Sequence, residues 1–137
     1  MSVFRDSAQA AEFLGGFFRE ETAKAGHYFA GSGVIIAYTL TDPALRLVMD
    51  ASVSAEPGRA FAFYINDDAA PAPGVEFFMD ADTFDKVYSG EVQPMALMMS
   101  GKVKAKGDVT IAMRLLPAMA AAIPHYKAYR AAHPLSS

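Results

Sequence analysis

The sequence predicts an α+β fold, a mostly antiparallel sheet covered by helices, and three observations carry that expectation. Apolar residues recur at helical spacing over 7–25, the period drops to two between Gly33 and Met79, and helical spacing returns from Ala81. The chain has 137 residues, 53% hydrophobic and 20% charged, enough for a real core and too apolar for disorder. No linker, repeat or low-complexity run divides it, so residues 1–137 are expected to form one domain.

In the first helix, Ala10, Phe13, Leu14, Phe17 and Phe18 make one apolar stripe. Asp6 with Gln9 suits its start and Gly26 its stop. Gly15 and Gly16 each cost about 1 kcal/mol relative to alanine inside a helix. Their presence points to close packing against another element.

Period-two runs follow, beginning with Val34 to Leu40 and turning at Thr41-Asp42-Pro43. Leu45, Leu47 and Met49 alternate with Arg46, Val48 and Asp50. Beyond a turn ending Glu56-Pro57-Gly58, Phe61, Phe63 and Ile65 alternate with Ala60, Ala62 and Tyr64. A Pro-rich loop over 67–74 precedes Val75, Phe77 and Met79. These runs read as a four-stranded antiparallel meander whose odd-numbered residues, from the second strand on, face the core.

Ala81, Phe84, Val87 and Tyr88 then share a helical face, with an aspartate to cap the start and Gly90 to stop it. Lys102, Lys104 and Lys106 alternate with Val103 and Ala105 as a fifth strand. Gly107-Asp108 opens another helix, in which Asp108 is placed to accept the Ile111 amide. Val109, Ile111, Met113, Leu115, Leu116 and Met119 make it apolar on several sides, and Pro117 should kink or end it. The tail, with His125, Tyr126, Tyr129 and His133, is weakly amphipathic.

Composition excludes several functions. A net charge of −3 lacks the concentrated positive field that nucleic acid requires. The absence of cysteine rules out disulfides and thiol catalysis. The N-terminal MSVFRDSAQAAEF has a charge pair where a signal peptide needs an apolar run, and Leu115 to Ile123 is too short to span a bilayer. A soluble, cytoplasmic protein is expected.

Chemical motifs fail in turn. Asp80, Asp82, Asp85 and Glu91 resemble a calcium loop, but Phe84 stands where an oxygen ligand is needed, so they read as a solvated helix end. Gly31-Ser32-Gly33 precedes a strand with Ile36 at the third glycine position, and Gly101-Lys102 is followed by valine. His27, His125 and His133 lack metal spacing, and Glu20-Glu21 and Asp67-Asp68 read as solvated charge. No cofactor, metal or catalytic group is expected.

The run from Phe78 to Leu116 resembles the second half of the sterol carrier protein type 2 domain. The resemblance rests on Asp82, Phe84 and Gly90; Pro94 and Ala96; Gly101, Lys102 and Lys104; and Gly107 with Asp108. The first half matches in layout, a helix followed by strands. The resemblance implies five mostly antiparallel strands under helices, enclosing an apolar tunnel that binds or transfers sterols, fatty acids or acyl-CoA without changing them. Many members carry glutamine just after the proline, whereas here that place is Met95 and an amide stands at Gln93.

Six of the eight methionines, Met79, Met95, Met98, Met99, Met113 and Met119, fall between residues 79 and 119. Methionine is unbranched and polarisable, so such a wall repacks around ligands of different shape. A tail of about 16 carbons gains on the order of 10 kcal/mol on burial, before ordering costs. The candidate lipid-lining set is Phe61, Phe63, Phe77 and Met79 from the sheet, with Met95, Met98, Met99, Met113, Leu116 and Met119 from the helical side. Gln93, Lys102 and Lys104 are the candidate head-group contacts.

The lysine stripe reads either as the wet face of an edge strand or as an attractor of anionic lipid heads or CoA phosphates at a pocket mouth. The leading expectation is a non-catalytic carrier of an apolar small molecule or lipid, with transient membrane-surface contact. The alternatives are an accessory module serving a lipid-metabolising enzyme, a small enzyme using Tyr64, Tyr88 or His125, and an interaction domain whose apolar tail packs on a partner.

Overall fold

The computed structural model describes residues 3–22, 33–52, 61–108, 110, 111, 113, 114 and 120–135. Helix α1 spans Ser7–Thr22, and the strands are β1 Ile35–Thr41, β2 Leu45–Asp50, β3 Ala62–Ile65, β4 Val75–Asp80 and β5 Lys104–Gly107. Between β4 and β5 lie α2, Ala81–Tyr88, and α3, Pro94–Ser100; a short 3-10 turn leads into α4, Ile123–Ala132. The first helix begins as its sequence dictates, with Asp6 accepting the Gln9 amide at 2.8 Å and Gln9 reaching back to the Arg5 amide. Its expected stop at Gly26, the Glu56-Pro57-Gly58 turn and the Pro117 kink lie outside the described residues.

The sheet order is β3-β2-β1-β4-β5. The first three strands form the expected antiparallel meander, but β4 does not continue it. It crosses to the far side of β1 and pairs there in parallel, Ile36 opposite Val75 and Leu40 opposite Met79. Periodicity reveals which face a strand buries, not which neighbour it takes. The other three pairings are antiparallel.

Ile36, Tyr38, Leu40, Leu45, Leu47, Met49, Val75, Phe77 and Met79 are buried on one face and join α1, α2 and α4 in a single apolar cluster. The opposite face carries Thr39, Arg46, Glu76, Lys104 and Lys106, with the Glu76 carboxylate accepting from Thr39 and 3.5 Å from Arg46. Alternation is imperfect there. Val48 is buried, and so is Asp50, whose carboxylate accepts the Ser52 amide at 2.8 Å.

The two odd glycines of α1 are explained by contact. A side chain on Gly16 would meet the Tyr129 hydroxyl of α4 at 2.3 Å, and one on Gly15 would meet Ile65 at 3.2 Å. Gly107 is required for another reason. Its φ of 109° suits glycine alone, and a Cβ would lie 2.4 Å from the Gly74 carbonyl oxygen. That carbonyl accepts the Asp108 amide at 2.9 Å, closing the end of β5 against the start of β4. Asp108 itself accepts the Thr110 amide rather than that of Ile111, a two-residue turn at the helix entry.

Candidate functional site

The greasy segment before the lysines is a helix. Pro94 opens α3 at its first position, where the missing N–H costs nothing. Gly101 closes it with φ 83°, its amide directed at the Leu97 and Met98 carbonyls. The amides of Lys102 and Val103 fold back onto the Leu97 carbonyl at 3.0 and 3.2 Å, tying the edge strand to the last helical turn. Leu97 and Met98 lie half-buried on the core, yet no residue of α3 is fully buried. Met95 and Met99, one turn apart, are 37% and 84% exposed.

At the N-terminal end of α3 lies a cavity of about 80 Å³. Val87, Tyr88, Val92, Pro94 and Ile123 give it apolar walls, and Gln93 stands at its rim. Small-molecule sites are usually about 300–1,000 Å³, so this space accepts an acyl tail only if its walls move.

Polar contacts within the core fix the floor. The Tyr88 hydroxyl lies 3.1 Å from that of Tyr38, and burial pushes Tyr38 up to about 12 against the lowering effect of that bond. The Tyr88 ring packs on Tyr126, whose hydroxyl donates to Asp85 at 2.7 Å; Arg130 lies 3.2 Å from the same carboxylate oxygen. Burial pushes Asp85 above its usual value, while the Tyr126 hydroxyl and the Arg130 charge pull it down. Burial, then the neighbouring Asp85 charge, pushes Tyr126 up as well.

This network corrects the reading of Asp85 as part of a solvated helix end. Asp80 does cap α2, accepting the Thr83 amide at 2.6 Å, and Asp82 accepts the Val3 amide at 2.7 Å. Asp85, however, is buried inside. Glu21, also read as solvated, is buried and meets His125 at 3.2 Å.

The lipid-lining candidates fall into separate places. Phe77 and Met79 are buried on β4, Phe77 stacked on Tyr38 with ring centres 5.6 Å apart. Phe61 and Phe63 sit at the β3 edge, where Phe61 packs on Phe18. Three strand spacings, about 14 Å, separate Phe63 from the β4 positions. Met98 is half-buried against the core, whereas Met95, Met99 and Met113 are exposed. Leu116 and Met119 lie outside the described residues. Of the head-group candidates, only Gln93 borders the cavity; Lys102 and Lys104 are exposed beyond the other end of α3, on the run into β5, and do not line it.

Tyr64, Tyr88 and His125 do not converge. The first is on the outer face of β3, the second under the cavity, the third between α1 and α4. Among the described residues no group of three or more His, Asp or Glu could hold a metal, and no helix is long and apolar enough to cross a membrane. Of the cavity walls, Tyr88 is among the expected candidates only as an acid or base, and Val87, Val92 and Ile123 are not among the expected site residues. The helical face shared by Val87 and Tyr88 is visible in the sequence, but nothing in its spacing separates a cavity wall from core.

A five-stranded sheet with one parallel pair, helices joined to one face and an apolar helix beside the edge strand define a sterol-carrier type of α+β domain. The chain belongs to the SCP-2 sterol transfer family, whose model matches residues 17–120. Among solved structures, it is similar to the sterol carrier protein domain 2 of Helicoverpa armigera, at 17% identity and TM-score 0.59, covering 82% of this chain and 89% of that one. The apo form of Sterol Carrier Protein 2 from Yarrowia lipolytica is 16% identical with TM-score 0.56, over 86% of this chain and 90% of that one. Sterol Carrier Protein-2 from Aedes aegypti, in complex with the C16 fatty acid palmitate, is 19% identical with TM-score 0.52, over 79% and 90%. At these identities the likeness is one of fold. No curated protein sequence matches the chain.

Proposed function

We propose that this protein binds and carries an apolar ligand of the fatty-acid or sterol kind, without chemical change, in a space that opens between α3, α2 and α4. The observation that carries the reading is α3 itself, a helix with no charged and no buried residue at one end of an apolar cavity. A segment held by so little burial opens at low cost, and displacing it would join the cavity to the methionine side chains. The palmitate complex of the Aedes relative supports a ligand with an acyl tail.

The test is titration with a fluorescent fatty acid in vesicle-free buffer, alongside native mass spectrometry of freshly purified protein. Saturable binding of one probe per chain is expected. Ile123→Trp, which fills the cavity, should weaken it about tenfold or more, a change of roughly 1.4 kcal/mol. No saturable binding by protein with native circular dichroism would overturn the reading.

A further inference from the structure

We propose that the carrier site selects ligands whose polar end is uncharged, a hydroxyl, ester or amide rather than a carboxylate or phosphate, and that Gln93 reads that end. The inference rests on the carrier reading and names the class of head group for the same space. Every wall of the cavity among the described residues is uncharged. The Tyr88 hydroxyl is already engaged with that of Tyr38, 3.1 Å away in the core. Gln93 is exposed at the rim, and its side chain makes no capping bond to α3, which it precedes. A primary amide both donates and accepts, as a hydroxyl does, so the two pair without leaving a charge unmet.

The backbone around the cavity offers an anion little. The amides of Ser89, Gly90 and Glu91, which leave α2 beside it, all donate to carbonyls of that helix, at 2.9, 3.1 and 2.9 Å. Both helix starts that border it carry a proline in their first turn, Pro94 in α3 and Pro124 in α4, so neither presents a full set of amides. Helix α2 ends there at Tyr88, with the negative end of its dipole toward the space. Glu91, two residues before Gln93, adds a negative charge, and the sequence of 115–119, leading to the Ala120 wall, contains no charged residue. Lys102 and Lys104 lie beyond the other end of α3, about 10 Å along its axis. A carboxylate drawn into the cavity would give up water with no lining cation to meet it, whereas a hydroxyl exchanges a water bond for one to Gln93.

The test is calorimetric titration of the full chain, without vesicles, with 1-decanol and with decanoate, which differ only in the head group. At neutral pH decanol should bind about tenfold more tightly or better. The gap should narrow as pH falls toward the carboxylic acid's own pKa, roughly 4–5, because the neutral acid then accumulates, while decanol binding stays level. Gln93→Leu should weaken decanol binding about fivefold, the worth of one hydrogen bond. Gln93→Arg should strengthen decanoate binding about tenfold and so close the gap. Lys102→Gln with Lys104→Gln should change the binding of neither.

Decanoate binding as tightly as decanol at neutral pH would overturn the proposal. So would decanol binding that Gln93→Leu leaves unmoved. Loss of decanoate binding in the lysine variant would overturn it too, by seating the head group at the far end of α3. Binding of neither ligand by natively folded protein would overturn the carrier reading and the proposal with it, whereas equal binding of both overturns the head-group assignment alone.

Discussion

The two ends of this domain bury apolar side chains in opposite ways. Where α1 meets α4, Phe13, Phe17, Tyr126 and Tyr129 interlock with ring centres 5.0–6.1 Å apart, and Gly16 lets the helices close around them. Around α3 the apolar groups are methionines and a leucine, none fully buried. Rings have few rotamers and define one packing, whereas methionine chains adopt many. The same hydrophobic chemistry thus gives a rigid support on one side and a yielding cover on the other.

The largest expected effect is on the rigid side. Phe17 is buried and packs on four other rings. Phe17→Ala should cost about 3–5 kcal/mol in urea unfolding. A loss below about 1 kcal/mol would show that the aromatic cluster is not the support claimed for it.

Asp85 tests whether that support is polar as well as apolar. Asp85→Asn should cost about 1–3 kcal/mol, because an amide in place of the buried carboxyl leaves the Tyr126 hydroxyl and Arg130 sharing a single acceptor oxygen beside an NH2 group. The pH dependence has a definite sign. A carboxyl whose folded value is raised adds stability that is present below its unfolded value, about 3.9, and is lost as pH rises through the folded one. The gap between wild type and variant should therefore narrow as pH rises above about 4, measured by urea melts at stepped pH. A widening gap would mean that the Arg130 charge outweighs burial.

The smallest effect belongs to α3. Met95→Ser with Met99→Ser should leave the unfolding free energy in urea within about 0.5 kcal/mol, since both side chains are exposed. A large loss of stability there would erase the contrast between the two ends.

Much of this architecture was legible in the sequence. The α1 stripe, the α2 face, the core-facing odd positions of the strands and the Gly15-Gly16 contact all follow from periodicity and from the cost of glycine in a helix. The parallel β1–β4 pairing did not, because the loop over 67–74 does not encode which strand edge it reaches. The burial of Asp85 was hidden for a similar reason. Its partners Tyr126 and Arg130 lie on a helix some forty positions later, in a tail whose pattern gave no sign of docking.

The site was read less well than the fold. Methionine clustering drew attention to the stretch that forms α3, but composition does not separate a side chain facing a hollow from one facing water or, like Met79, one in the core. Pro94 and Gly101 were a sufficient signal for a short helix between them. No element is expected from the sequence for that stretch, whose methionines enter only on the helical side of the lining set.

The parallel seam also shapes how the molecule is made. A chain leaving the ribosome can close β1, β2 and β3 from nearby contacts, but the other edge of β1 waits for Val75–Asp80. Until then the central strand of the finished sheet is its exposed margin, so the hazard of mispairing belongs to synthesis rather than to the native protein.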